Sequence, residues 1–170
     1  MRWKDLPQEN CSLARTLAVV GDRWTLLVLR DCFLGGRRFE EFERSLKIAR
    51  RVLSERLALL VAENILTRVP YQDAPPRYEY RLTEMGLELY PAILSLVHWG
   101  DKHYAGGKGP PVVHTHLKCG QDFRSVLSCS ECGEAVTARE VRARVTTLAS
   151  PIRSRKAARR SPSKSTRARA

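Results

Sequence analysis

No apolar run in this chain approaches the roughly 18 residues that cross a bilayer as a helix, and residues 1–10 lack the apolar core of a signal peptide. A cytoplasmic protein with no membrane partner is expected. Acid is missing from the end of the chain. Ser150 to Ala170 holds six Arg and two Lys and no Asp or Glu, so the tail carries eight of the twelve net positive charges and residues 1–149 carry +4. Ile152 is its one sizeable apolar residue, too little to bury, and residues 150–170 are expected to be a disordered basic tail that binds DNA without sequence preference. A surplus of this sign points to a polyanion, nucleic acid ahead of a membrane surface, and to association with the nucleoid. Five cysteines in a reducing compartment argue against a permanent disulfide framework and for metal binding or thiol chemistry.

What is present is mostly helical. Asn10 or Ser12 can cap a first helix whose apolar positions Leu13, Leu17 and Val20 recur at helical spacing before Gly21. Asp22 can cap a second, from Arg23 to Phe33, apolar on almost every side, with Cys32 among its core residues and Gly35-Gly36 as its stop. A short helix over 37–46 puts Phe39, Phe42 and Leu46 on one face and three glutamates on a solvated one. After the link Lys47-Ile48, residues 49–62 form the helix on which the chain turns. At 100° per residue Leu53, Leu57 and Leu60 share a narrow stripe, while Arg51, Glu55, Ala58 and Ala62 lie nearly opposite with Ser54 beside them. Such a short, basic outer face can enter a DNA major groove, although most amphipathic helices simply show it to water.

Two short helices joined by a tight link form a helix-turn-helix, and a hairpin follows directly: strand 66–71, turn 72–76 with Pro75-Pro76, strand 77–82. That hairpin is a wing, with Pro70 at an edge position and Arg77 at the tip where it can reach a phosphate or the minor groove. A long helix is expected from Thr83 to about Tyr104, broken or bent at Pro91, with Ile93, Leu94, Leu96, Val97 and Trp99 spreading apolar surface over more than one face. Surplus of this kind commonly meets a second copy.

These stretches resemble the HxlR-type winged helix-turn-helix transcription regulators, of the MarR-like superfamily. The resemblance rests on Cys11 to Leu17, Val20 to Arg30 with Trp24-Thr25, Gly36 to Phe39, Arg51 to Leu57 and Pro75 to Thr83, in family order over roughly 11–100. It implies a homodimer through the first and last helices, two recognition helices about one DNA turn apart on a near-palindromic operator, and no catalysis. A repressor is the commoner role in such families. On this reading Arg51, Ser54 and Glu55 reach base edges and Arg37, Arg38, Arg50 and Arg77 reach phosphates or the minor groove, while Arg56 points to the flank, toward an internal ion pair. Two positions depart from the family pattern: Ser12 stands where Pro is common, and Ala49 where a capping Ser is common, a loss of about 1 kcal/mol. Cys11 resembles the position at which some relatives sense oxidants or electrophiles; the simpler reading is a small buried residue that fills space. A small-molecule or oxidant effector is thus an expected partner, without residues for its pocket.

Gly106 to Pro111 reads as a linker into His114-Thr115-His116-Leu117-Lys118-Cys119-Gly120 and Cys129-Ser130-Glu131-Cys132-Gly133. His116, Cys119, Cys129 and Cys132, with His114 as an alternative to His116, have the form of a zinc ribbon holding one structural zinc; a metal-free ribbon and a redox pair Cys129/Cys132 are the other readings. A zinc enzyme lacks its parts here, since the histidines sit in His-Thr-His with no glutamate beside them. A further short helix is expected from Thr137. The expected organisation is a mainly α winged helix-turn-helix domain with a small β-wing over 1–105, a ribbon-like extension over 106–149 and the tail over 150–170. The competing function is a nonspecific, nucleoid-type nucleic-acid binder that uses the tail and a zinc ribbon.

Overall fold

The computed structural model describes residues 3–144. The basic tail over 150–170 and residues 145–149 of the extension lie outside the described residues. A 3-10 turn, Trp3–Gln8, leads into α1 (Ser12–Val20), α2 (Arg23–Phe33), α3 (Phe39–Leu46) and α4 (Arg50–Ala62); the wing follows as β1 (Leu66–Gln72) and β2 (Arg77–Leu82), then α5 (Glu84–Leu87) and α6 (Tyr90–Tyr104).

Helix α2 is the centre, packed against α3, α4, α6 and β2. Asp22 starts it by accepting from the backbone N–H groups of Trp24 (3.0 Å) and Thr25 (3.3 Å), which meets two of the donors that a helix start leaves without partners. Val28, Leu29, Phe42, Leu53, Leu57 and Leu60 are completely buried, so the leucine stripe of α4 meets α2 as its spacing requires. Each such side chain contributes about 1.5–3 kcal/mol by leaving water. Lys47 ends α3 in the left-handed region at φ 50°, and the buried Ile48 then pins the turn to the core. Cys32 is half-buried against this core, and burial, then the charge of Asp31, pushes its thiol up to about 12.

The wing strands pair antiparallel from Leu66↔Leu82 to Pro70↔Tyr78, with the register shifting between Pro70 and Gln72. Pro70 is tolerated because β1 is a sheet edge. The segment before α3 lends a third rung: Tyr80 N–H donates to the Arg37 carbonyl at 2.7 Å, and Arg38 bridges Glu79. The wing is thereby tied to the start of α3.

The break or bend expected at Pro91 is a break: α5 ends at Leu87 and Pro91 sits in the first turn of α6, where its missing N–H has no partner to lose. Other expectations change. Leu13 and Leu17 do not face this core: Leu13 is 67% exposed, and α1 buries Ala14 and Val20 instead. Cys11 is exposed at the N-cap of α1, so it fills no interior space. No helix begins at Thr137 among the described residues; Glu140 folds its carboxylate back onto Thr137, accepting from Oγ1 at 2.6 Å and from N–H at 3.2 Å, and closes a single turn.

Beyond α6, Gly106–Lys108 forms one 3-10 turn rather than an open linker. The hairpin β3 (Thr115–His116) and β4 (Gln121–Asp122) comes next, then a single bridge between Ser128 and Ala135. Ser125 anchors this extension to α6: its backbone N–H donates to His98 Nδ1 at 3.0 Å, and its hydroxyl lies 2.9 Å from the same nitrogen. No helix among the described residues is long and apolar enough to cross a membrane.

Candidate nucleic-acid interface

Helix α4 turns Arg51, Ser54, Glu55 and Ala58 outward, all exposed, while its leucines hold the opposite side. Arg51 is 90% exposed as a side chain and its Nε donates to Glu55 Oε1 at 3.0 Å, one helical turn on. A surface pair of this kind adds little stability, but it fixes where the guanidinium points. Ser54 lies beside them, so three donors and acceptors stand on one short stretch of helix. Ala49 occupies the N-cap with no side-chain bond, leaving the first N–H groups of α4 to solvent or to an anion.

The arginines around this face divide into two sets. Arg50 Nη1 pairs with Glu43 Oε2 at 2.6 Å and its guanidinium lies 4.8 Å from the Phe39 ring centre; Arg38 pairs with Glu79 at 3.3 Å and lies 4.5 Å from the Tyr71 ring. Both cations join elements, α4 to α3 and the α3 entry to the wing, and a phosphate must compete with a carboxylate for them. Among the described residues Arg37 and Arg77 form no ion pair and are exposed, Arg77 at the end of the wing. Arg56 lies off this face, 3.3 Å from the Asp22 carboxylate, so one aspartate both caps α2 and holds α4.

The glutamates of α3 are not merely a solvated face. Glu41 accepts from the backbone N–H groups of Arg37 (2.8 Å) and Arg38 (2.9 Å), which together hold its carboxyl below the ordinary range and stiffen the entry to α3. Glu79 is likewise held low, first by the Arg81 guanidinium and then by Arg38. Two wing cations were not legible as members of the patch: Arg68, 3.9 Å from the Tyr78 ring centre, and Arg81, 2.9 Å from Glu79. The basic content of β1 and β2 was the available signal. The partners were not.

The expected metal ligands fall into two pairs. His116 Nδ1 lies 3.2 Å from Cys119 Sγ, and Cys129 Sγ receives the backbone N–H groups of Cys132 and Glu131 and a side-chain bond from Cys132, which hold its thiol low. His114 turns away to stack edge-on against His98, with ring centres 5.6 Å apart. Among the described residues no three His, Cys, Asp or Glu side chains gather as a metal cluster. The two pairs stand on separate turns, His116–Cys119 and Cys129–Cys132.

The sequence profile of the HxlR-like helix-turn-helix family matches residues 19–107, just over half of the chain and the whole of the helix-turn-helix and wing. The chain belongs to this HxlR-like family. An uncharacterised HTH-type transcriptional regulator of Mycobacterium tuberculosis is 47% identical over 133 residues, 78% of this chain and 84% of the relative. The crystal structure of PA1607, assigned there as a candidate transcription factor, superposes with a TM-score of 0.72 at 32% identity, over 81% of this chain and 96% of its own. The redox regulator HypR in its oxidised form is 36% identical with a TM-score of 0.51, over 55% of this chain and 97% of its own. This HxlR-like protein is a transcriptional regulator with a helix-turn-helix DNA-binding domain, and not an enzyme. The longer matches outrun the residues of the family profile, so part of the added length is shared with PA1607 and not with HypR.

Proposed function

We propose that the protein acts as a homodimeric, sequence-specific repressor, placing α4 of each copy in the major groove of a near-palindromic operator. The observation that carries the reading is the bare outer face of α4, where Arg51, Ser54 and Glu55 stand exposed beside a wing that ends in the unpaired Arg77. Arg51 can take a guanine edge in two hydrogen bonds and Glu55 can accept from cytosine. Arg37 and Arg77 supply phosphate or minor-groove contacts at once, Arg38 and Arg50 by exchanging their carboxylates for phosphate.

A second copy is supported by apolar surface left exposed among the described residues. Leu13 and Leu17 on α1 and Leu96, Trp99 (55% exposed) and Tyr104 (75%) on α6 remain outside the core. Cys11, exposed at the start of α1, sits where a change of charge or bulk would act on that same surface. HypR is a redox regulator; oxidation of Cys11 as the effector signal is the corresponding proposal for this chain. Acting in the cytoplasm, the basic tail would hold the protein near the nucleoid and add affinity without sequence preference.

Footprinting on genomic DNA tests the reading. Two protected half-sites about one helical turn apart are expected, with protection lost on mild oxidation and retained by Cys11→Ser. Protection without periodicity would instead support the nonspecific, tail-driven alternative, and oxidation that leaves the footprint unchanged would remove the thiol signal.

A further inference from the structure

The extension is ordered but has almost nothing inside it. Of residues 106–144, none with a described burial is buried; Leu117 is 95% exposed and Leu127 is 72% exposed. Chains below about 40 residues seldom hold a fold by apolar burial alone and use disulfides, a metal or association instead. A disulfide framework does not suit the residues present: the extension has three free cysteines, an odd number, and a Cys129–Cys132 bond would close only one tight turn.

The two turns that carry these cysteines share one plan. In the first, the His116 carbonyl accepts from Cys119 N–H (3.2 Å) and Gly120 N–H (2.8 Å); in the second, the Cys129 carbonyl accepts from Gly133 N–H (2.9 Å). Gly120 and Gly133 follow the last cysteine of each turn at φ 69° and 76°, where a side chain is disfavoured. Each turn therefore carries two donors three positions apart on one tight loop. His116 Nδ1 and Cys119 Sγ, 3.2 Å apart, are near the separation of about 3.6 Å that a tetrahedral ion with usual Zn–N and Zn–S bond lengths imposes on such a pair.

We propose that these turns are two half-sites that close on a single zinc-class divalent ion, with His116 and Cys119 from one and Cys129 and Cys132 from the other. Three thiolates and one imidazole suit a tetrahedral, borderline-soft metal and leave no open position, so the ion is structural. The link between Gly120 and Cys129 is nine steps of chain, which span at most about 32 Å and do not keep the two turns from meeting. The His98–Ser125 bonds lie within that link, so metal binding also fixes how the extension sits on α6.

The test is a cobalt titration of the full reduced chain, read by absorption and followed by displacement with zinc. One ion per chain is expected, with the intense visible bands of tetrahedral cobalt and sulfur-to-metal charge transfer. Cys132→Ser and His116→Ala should each weaken binding at least ~100-fold, His116→Cys should keep it with a spectrum shifted toward four sulfurs, and His114→Ala should leave it unchanged. Far-UV circular dichroism of each variant checks that the helical domain is intact. Absence of uptake, six-coordinate spectra, one ion shared by two chains, or a spectrum indifferent to His116 and Cys119 would each overturn the proposal.

Discussion

The wing and the extension are both made of antiparallel hairpins, and they are held in opposite ways. The wing runs seven residues against six, and its inner end is a buried Leu66 facing Leu82 on the helical core. The β3–β4 hairpin pairs two residues with two, and all four are exposed. A two-stranded hairpin is marginal by itself; the wing borrows its stability from α2 to α4, whereas the extension has the His98–Ser125 anchor and its own tight turns. Backbone pairing alone does not place a functional side chain. Packing or coordination does.

The largest effect expected from this contrast is on the helical side. Leu57→Ala removes a completely buried side chain from the contact between α4 and α2 and should cost about 2–5 kcal/mol in chemical unfolding, whereas Leu117→Ala should stay within about 0.5 kcal/mol. Similar losses at both positions would mean that the extension has a core of its own. A smaller effect concerns the entry to α3. Glu41 is held below its ordinary value by the N–H groups of Arg37 and Arg38, so its contribution is present above the unfolded value of 4.5 and is lost as pH falls through the lower folded value. Glu41→Ala should lower stability by about 1 kcal/mol at neutral pH, the size of a helix cap, and flatten the acid limb of the stability profile. An unchanged acid limb would assign the pH dependence to other carboxylates.

Much of the helical domain was legible because its signals are local. Asp22 before Arg23-Trp24, the stripe Leu53, Leu57, Leu60 and the Pro75-Pro76 turn each specify an element within a few residues. Even the internal role of Arg56 followed from its angle on α4. What was not legible depends on distance in the fold. Arg50 was expected at a phosphate, but its carboxylate partner, Glu43, lies on another helix, and the Arg38–Glu79 pair spans 41 positions in sequence. Leu13 and Leu17 have the spacing of a buried face, and periodicity does not say whether the neighbour is the same chain or a second one. The start signal at Thr137 closes only one turn, in which Glu140 bonds locally while Val141, the next sizeable apolar residue, stays 59% exposed. His116 and His114 have equal standing in the sequence; the structure separates them by putting one beside Cys119 and the other against His98.

The most direct measurement is competition between a selected operator and random duplex at physiological salt, for the full chain and for Arg51→Ala. Recognition through α4 requires a preference of at least ~10³ in the full chain, with Arg51→Ala reducing it by about 10–100-fold, the discrimination carried by one good base contact. Equal affinity for both duplexes, or a preference indifferent to Arg51, would contradict the assignment of α4 as the reading helix.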